Sequence, residues 1–314
     1  MKILTPKIAV IGSTYVDMAL KCPHMLVPGR NLEGSGFSWN TTGPGPNQAA
    51  QAALCGCSVH LITKTGADPF GQIVREQLKE LKVKTDCIFT AEAKNTGIVV
   101  TVVDSEGENA GCYCAGANHA LRANDIEASE EIIAEADICL IHGELPRETV
   151  GSAIKLAKTH GTRIILNPAR TIDDQDLPMD YFTDNILIPN LYEAADITEH
   201  SAANVRAAKM IGSELIARGA ETAIITMGKR GCMVVNRNGA DHIPAFEIEL
   251  ADQTCTGDAF AGAIAACLAA SNNIIEAVKF ASAAGALACT RFGAIESLPN
   301  RAEIIELLQK GDIF

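Results

Sequence analysis

Long apolar runs and clustered positive charge are both missing from this sequence. No stretch approaches the roughly 20 apolar residues that span a bilayer, and residues 1–6 lack the apolar segment of a signal peptide. Lys and Arg total 26 against 38 Asp and Glu, a formal net charge of -12. Because nucleic acids and anionic membranes bind positively charged surfaces, this balance argues against either partner. We expect a cytoplasmic protein.

The cysteines lack the spacing of a metal site or a disulfide framework. The chain has 11 cysteines but no C-x-x-C, and the pairs Cys55/Cys57 and Cys112/Cys114 have no further ligand at zinc spacing. With an odd number of cysteines and no export signal, we expect reduced thiols and no structural metal. A G-x-G-x-x-G loop is also absent after the first predicted strand, at residues 12–15. Its absence argues against a nicotinamide enzyme.

What the sequence does contain is a repeated alternation of short β-branched runs with helical stretches. Several runs, such as residues 138–141, are apolar at every position, as expected for a parallel strand buried on both faces. The predicted strands are residues 8–11, 59–63, 97–103, 138–141, 163–166, 185–188, 223–226 and 232–235. The predicted helices are residues 47–54, 70–81, 130–135, 147–160, 203–218, 259–270 and 275–289. The pattern predicts a single α/β domain over residues 1–314, with a doubly wound, mostly parallel sheet flanked by helices.

Two segments interrupt this alternation. Residues 22–42 are rich in Gly, Pro and Asn, and residues 97–114 read as two strands around a turn at 106–108. Both could leave the main sheet, so we predict a small β-strand lid formed by about residues 18–42 and 95–117. A lid over the active edge of the sheet would exclude water from a reaction. Ordinary surface hairpins are the alternative.

The strongest chemical signal is residues 252–263, where small polar residues lead into an Ala-rich helix. The first N–H groups of a helix lack intrahelical acceptors and lie at the positive end of its dipole. Small side chains at Cys255, Thr256 and Gly257 would let an anionic phosphate reach those N–H groups. Asp258, at the expected first helical position, would lie beside the anion. The alternative is an Asp that only stabilises a helix N-terminus.

This segment resembles D-T-x-[GA]-A-G-D-x-F-x-G, the C-terminal signature of the ribokinase family of PfkB-type carbohydrate kinases. The matching residues are Asp252, Thr254, Gly257, Asp258, Phe260 and Gly262. Other segments resemble the family in the same order along nearly the whole chain: 12–17, 43–49, 66–71, 108–109, 116–118, 167–169, 189–193, 226–231 and 290–294. The resemblance implies a ribokinase-like fold and ATP-dependent phosphorylation of a sugar hydroxyl.

For the reaction, the resemblance implies that Asp258 accepts the proton of the sugar hydroxyl while the N–H groups of Cys255, Thr256 and Gly257 stabilise the transferred phosphoryl group. It also implies Mg²⁺ on ATP oxygens near Asn190 and Glu193. The alternative for these two residues is a helix-capping pair. The residues implied in nucleotide binding are Asn190, Thr226, Gly228, Gly231 and Ser282. The residues implied in a K⁺ site, mostly through carbonyl groups, are Asp252, Thr254, Gly293 and Ser297.

On the sugar side, the resemblance implies hydroxyl contacts from Asp17 and Asn47, a backbone contact from Gly43, and Glu144 deeper in the pocket. His142 would be a wall of this pocket rather than a metal ligand. Tyr15 stands where ribokinases carry Asn, so it narrows the sugar site.

Other departures lie in the sugar loop, which Pro44 and Pro46 stiffen, and in the anion site, where Cys255 replaces Gly or Ala. The departures bear on the acceptor more than on kinase chemistry. The resemblance implies a small sugar as the acceptor, with a sugar acid or nucleoside as the alternative. A catalytically silent sugar-binding or regulatory protein also remains open.

Two further expectations concern the substrate and the partner. Arg170 is a candidate contact for a substrate phosphate or carboxylate, or else a surface residue near Asp173 and Asp174. The resemblance implies a homodimer formed through the lid, with Phe37 and Trp39 as apolar contacts.

Overall fold

The structure is a computed structural model that describes residues 5–169, 176–202 and 204–311. Its strands are β1 (Lys7–Ile11), β2 (Tyr15–Lys21), β3 (Gly36–Thr42), β4 (Ser58–Gly66), β5 (Ile88–Ala91), β6 (Gly97–Val103), β7 (Asn109–Cys114), β8 (Ile138–His142), β9 (Arg163–Asn167), β10 (Ile186–Leu187), β11 (Thr222–Thr226), β12 (Cys232–Asn236) and β13 (Gly239–Ile243). Its α-helices are α1 (Pro44–Leu54), α2 (Pro69–Glu80), α3 (Ala123–Glu127), α4 (Glu130–Glu135), α5 (Arg147–His160), α6 (Leu191–Thr198), α7 (Val205–Ala217), α8 (Thr256–Ala270), α9 (Ile274–Ala288) and α10 (Arg301–Lys310). Candidate residue Arg170 lies outside the described residues.

The main sheet of the described chain has nine strands in the order β13-β12-β11-β10-β9-β8-β1-β4-β5. Seven neighbouring strands of this sheet are parallel: β11, β10, β9, β8, β1, β4 and β5. Strands β12 and β13 extend the β11 edge as antiparallel strands. At the centre, Val10 of β1 pairs with Leu61 on one side and Leu140 on the other. The carboxyl ends of β1, β8 and β9 therefore reach the same edge of the sheet, where ligands bind in open α/β sheets.

Alternation along the central strands creates a core on each face of this sheet. In β1, Ile8 and Val10 belong to one buried cluster, while Ala9 and Ile11 belong to the other. Helices α1, α2, α8, α9 and α10 contribute to the first cluster, and α3 to α7 contribute to the second. Helices on both faces of a mostly parallel sheet confirm the predicted doubly wound fold. None of the described helices is long and apolar enough to cross a membrane.

Four strands form a second, smaller sheet in the order β3-β2-β6-β7. They come from the two segments for which a lid was predicted, although the first strand begins at Tyr15. The turn between β6 and β7 contains Gly107, which adopts a positive φ of 86°. Large apolar side chains are exposed on this sheet, including Phe37 at 60% and Trp39 at 42%.

Short elements account for most differences from the prediction. The strand predicted at 185–188 shrinks to Ile186–Leu187, and β5, β13, α3, α6 and α10 were not predicted. Helix α10 did carry a signal, because Asn300 and Glu303 form a capping box at its start. Helix α8 begins at Thr256, three residues before the predicted start. Asp258 is therefore the third helical residue, which corrects the predicted first position.

Candidate active site

The predicted base, Asp258, is held by two amide side chains from the start of α1. Asn47 Nδ2 donates to Asp258 Oδ2 at 2.9 Å, and Gln48 Nε2 donates to Asp258 Oδ1 at 2.9 Å. Asn47 is 4% exposed and Gln48 is fully buried. Two donors on opposite oxygens fix the rotation of a carboxylate that would otherwise turn freely about its terminal torsion. The structure thus brings Asn47 and Asp258 together, as well as a residue that was not predicted, Gln48.

Backbone N–H groups lie open beside this carboxylate, at the N-terminus of α8. Within the described residues, the N–H groups of Cys255 and Gly257 have no hydrogen-bond acceptor. A Cβ added at Gly257 would meet nothing within 4 Å, so the space in front of it is empty of protein. The Thr256 N–H lies 3.5 Å from the carbonyl oxygen of Gln253, at the limit of a hydrogen bond. Two of the three predicted anion-site amides are therefore fully free.

The predicted anion site has an unusual backbone at Cys255, which caps α8 in the left-handed region with φ of 65°. Burial raises the pKa of its thiol, and the Asp258 carboxylate raises it further. The thiol is therefore neutral and adds no negative charge where an anion would bind. The Thr256 hydroxyl donates to the Gln253 carbonyl oxygen at 2.8 Å and so ties down the preceding loop.

A second cluster joins Tyr15, Glu144 and Ser13 at the ends of β1 and β8. Tyr15 OH donates to Glu144 Oε1 at 3.0 Å, and Ser13 Oγ donates to Glu144 Oε2. Burial, followed by the Glu144 charge, raises the pKa of the Tyr15 phenol, which stays protonated. Gly43 packs against the same residues, because a Cβ there would lie 2.8 Å from the Ser13 carbonyl oxygen and 2.9 Å from Tyr15 Cδ2. Glu144 thus already has a protein donor on each oxygen.

His142 lies between the two clusters. Burial lowers the pKa of its imidazole, while the charges of Glu144 and Asp258 both oppose that shift. The Glu144 N–H points at His142 Nδ1 at 3.3 Å, so the neutral ring carries its proton on Nε2. Asp17, on the same face of β2 as Tyr15, is half-buried, accepts from the Thr101 hydroxyl at 3.2 Å and has its pKa raised by burial. A row of polar groups therefore runs from Asp258 to the second sheet.

The predicted nucleotide contact Asn190 and the predicted metal residue Glu193 form a helix-capping box. Asn190 Oδ1 accepts from the N–H groups of Tyr192 and Glu193 at 2.9 Å each, and Glu193 Oε2 accepts from the Asn190 N–H at 2.8 Å. Burial raises the pKa of Glu193 to about 7, against the lowering effect of the Asn190 N–H. The helix-capping role, which was the alternative for this pair, is therefore observed. Glu193 Oε1 still has no partner among the described residues.

The other predicted nucleotide residues gather next to this capping box. Asn190 forms a parallel bridge with Thr226, and the chain then turns through Gly228 and Gly231, whose φ values are 57° and 78°. Ser282 Oγ of α9 lies 3.8 Å from Cys232 Sγ, directly after that turn. Ser282 lies one turn before Gly285 of α9, where an added Cβ would lie 3.3 Å from the Thr256 carbonyl oxygen, so α9 connects these residues to the start of α8.

Three of the four residues predicted for a K⁺ site are connected to one another by hydrogen bonds. Asp252 Oδ1 accepts from the Thr254 N–H and hydroxyl at 2.9 and 2.7 Å, and Asp252 Oδ2 accepts from the Gly293 N–H at 3.1 Å. Burial alone would raise the pKa of Asp252, but these hydrogen bonds outweigh it and lower the pKa. The fourth, Ser297, is fully buried and donates to the Ala294 carbonyl oxygen at 2.7 Å. No group of three or more His, Cys, Asp or Glu suited to a metal ion occurs in the described ranges.

Comparisons with known proteins identify the family of this chain. The model of the pfkB family carbohydrate kinases matches residues 5–301. The ribokinase of Haemophilus influenzae is 31% identical over 304 residues, covering 96% of this chain and 98% of the relative. The deoxyribokinase of Salmonella typhi is 29% identical over 301 residues, with 96% and 98% covered.

Solved structures show the same similarity in the fold. The ribokinase of Thermotoga maritima superposes with a TM-score of 0.85 at 28% identity, covering 97% of this chain and 99% of the other. The ribokinase of Arabidopsis thaliana, complexed with ribose and ATP, gives a TM-score of 0.89 at 24% identity, covering 98% and 99%. The fold is therefore ribokinase-like. From the family match over nearly its whole length, the chain belongs to the pfkB family of carbohydrate kinases.

Proposed function

We propose that this carbohydrate kinase transfers the γ-phosphate of ATP to a hydroxyl group of a small sugar, with Asp258 as the general base. The observation that carries the proposal is the Asp258 carboxylate, fixed by Asn47 and Gln48 beside the free N–H groups of Cys255 and Gly257. A base next to an anion site is the combination that phosphoryl transfer to an alcohol needs.

In this mechanism, Asp258 accepts the proton of the sugar hydroxyl as the oxygen attacks the γ-phosphorus. The bond from phosphorus to the β,γ-bridging oxygen breaks, and ADP leaves with that electron pair. The N–H groups at the start of α8 stabilise the negative charge of the transferred group, with the positive end of the helix dipole behind them. Because these donors are oriented before the reaction, they need little reorganisation during it.

The acceptor proposed first is a pentose, since the relatives named above include a ribokinase and a deoxyribokinase. Half-buried Asp17 is available for sugar hydroxyls, and the buried Oδ1 of Asn47 has no partner within the described residues. Glu144 is bound on both oxygens by Ser13 and Tyr15, so it offers less to a hydroxyl than the sequence suggested. A sugar acid and a nucleoside remain the other acceptors to be tested.

The nucleotide would lie along Asn190, Thr226, Gly228, Gly231 and Ser282. Mg²⁺ fits the free Oε1 of Glu193, since this ion keeps several waters and needs few protein oxygens. A K⁺ ion fits Asp252, Thr254, Gly293 and Ser297, whose carbonyl and carboxylate oxygens are hard donors of the kind alkali cations take. Both ions would supply charge neutralisation for the transferred group.

We also propose that the second sheet acts as a lid over the acceptor, because Tyr15 and Asp17 project from its strand β2. Its exposed Phe37 and Trp39 support a homodimer formed through this sheet, since exposed apolar patches mark interaction surfaces. The acidic charge balance supports an enzyme without nucleic-acid or membrane partners, for which we propose a cytoplasmic location.

An ADP-release screen over pentoses, hexoses, sugar acids and nucleosides tests the function, with Asp258→Asn as the control. We expect turnover with at least one pentose and a loss of about 10²- to 10⁴-fold in kcat in the variant, the usual contribution of a general base. Parent turnover in Asp258→Asn would show that the base is assigned wrongly. Sugar binding without turnover of any acceptor would instead favour a catalytically silent protein.

A further inference from the structure

Gln48 is a fully buried polar residue that lies one step behind the reaction centre. It belongs to α1, has no exposed surface, and directs its Nε2 at Asp258 Oδ1 from 2.9 Å. Its Oε1 has no hydrogen-bond partner in the part of the chain that the structure describes. A buried amide oxygen without a partner is costly, so the amide gains something from its present orientation. The Asp258 carboxylate explains this orientation, because the flipped amide would set oxygen against oxygen.

Asn47 and Gln48 contact different oxygens of the carboxylate and differ in their access to substrate. Asn47 is slightly exposed, while Gln48 is not exposed at all and cannot touch a sugar or a nucleotide. Gln48 can therefore act on the reaction only through its neighbours, and the neighbour that its side-chain amide contacts is Asp258. Without Gln48, the carboxylate would be held at one oxygen only and could rotate about that contact.

Close packing of α1 against α8 sets this contact. Gly262 lies one helical turn after Asp258, on the same face of α8. A Cβ at Gly262 would lie 2.5 Å from the Gln48 carbonyl oxygen and 2.7 Å from Gln51 Cβ. Only glycine lets the two helices approach this closely, and the approach brings the Gln48 amide within reach of the base.

Resting on the proposed kinase function, we propose that Gln48 is a positioning residue that locks the Asp258 carboxylate in the orientation needed to accept the acceptor proton. It does not touch substrate, and it acts only by removing the rotational freedom of the base. Misplacement of a reacting group by about 1 Å costs roughly 10²-fold in rate, so a loosened carboxylate reduces kcat rather than substrate binding.

Gln51 offers a matched control on the same helix. It is also fully buried, but its Nε2 donates to the Pro299 carbonyl oxygen at 2.9 Å, away from Asp258. We expect Gln48→Met to lower kcat about tenfold to a hundredfold with both KM values within about threefold of the parent. Gln51→Met should keep the parent kcat while losing stability. Equal kcat values for the two variants would overturn the proposal.

Gln48→Glu supplies a readout that a packing role would not produce. At high pH a second carboxylate would face Asp258 and repel it, whereas a protonated Glu donates a hydrogen bond as the amide does. The ratio of variant to parent kcat should therefore rise as pH falls from about 8.5 to 5.5, and the ratio for Gln48→Met should stay flat. The nearby titratable groups, His142, Glu144 and Cys255, are the same in parent and variants and cancel in the ratio. A flat ratio for Gln48→Glu would refute the donor role.

A double-mutant cycle tests the contact without any turnover. Urea unfolding of Gln48→Met, Asp258→Ala and the double variant should give non-additive losses, since each single change breaks the same hydrogen bond. Additive losses would show that the two residues are not coupled, which would overturn the proposal. If the parent phosphorylates no acceptor while the cycle is non-additive, the kinase function fails and the contact stands.

Discussion

Replacing Gly262 by Ala should slow turnover while it weakens the fold only modestly. The added Cβ would lie 2.5 Å from the Gln48 carbonyl oxygen, a backbone atom that cannot rotate away. Ordinary van der Waals contact begins at 3.4 Å, so α1 and α8 must separate locally by about 0.5 to 1 Å. That shift acts on the two amides that hold Asp258.

The two effects of this change can be given magnitudes. Overpacking a core costs about 1–3 kcal/mol, while Gly to Ala in a helix returns about 1 kcal/mol. The free energy of unfolding should therefore fall by about 0–2 kcal/mol. A displacement near 1 Å at a reacting group costs about 10²-fold in rate, so kcat should fall by about tenfold to a hundredfold.

Gly212→Ala in α7 is the matched control. Its added Cβ would also lie 2.5 Å from a neighbour, but that neighbour is Cγ2 of Val235 in β12, so this clash lies outside the α1–α8 contact. Steady-state kinetics and urea unfolding should show parent kcat in Gly212→Ala and a clear kcat loss in Gly262→Ala. Equal kcat values in the two variants would refute the view that the α1–α8 spacing positions Asp258.

Three other substitutions probe separate parts of the site and fold. Tyr15→Phe frees Glu144 Oε1 to accept a sugar hydroxyl, so the kcat/KM ratio of D-ribose over 2-deoxy-D-ribose should rise by roughly tenfold. Because the pKa of Glu193 rises from 4.5 to about 7 on folding, the native state binds the extra proton. The free energy of unfolding should thus fall as pH rises from about 4.5 to 7, and Glu193→Gln should flatten that fall. Glu199→Gly, where φ is 57° at the end of α6, should raise the free energy of unfolding by about 0.5–1 kcal/mol in urea titrations.

Each of these expectations has a contradicting result. An unchanged sugar ratio in Tyr15→Phe would mean that Glu144 does not face the acceptor. A Glu193→Gln variant with the parent's pH dependence of unfolding would place the titrating group elsewhere. A lower unfolding midpoint in Glu199→Gly would show that the left-handed conformation of Glu199 does not destabilise the native state.

The sequence by itself determined the fold class and the residue types at the head of α8. Buried apolar runs such as residues 138–141 and the alternation of strands with helices require a parallel sheet covered on both faces, because such strands cannot face water. The Thr256-Gly257-Asp258 start of an Ala-rich helix likewise indicated an anion site, because free N–H groups at a helix start follow from local geometry.

Only the tertiary structure decided which side chains of the site contact each other. Asp258 meets Asn47 and Gln48 across about 210 positions of sequence, and Tyr15 meets Glu144 across 129. Such contacts depend on helix spacing and strand order, here on the glycine at 262 that lets α1 approach α8. Local pattern carries no information on that spacing, so the sequence could name Asp258 as the proposed base but not the Gln48 amide that contacts it.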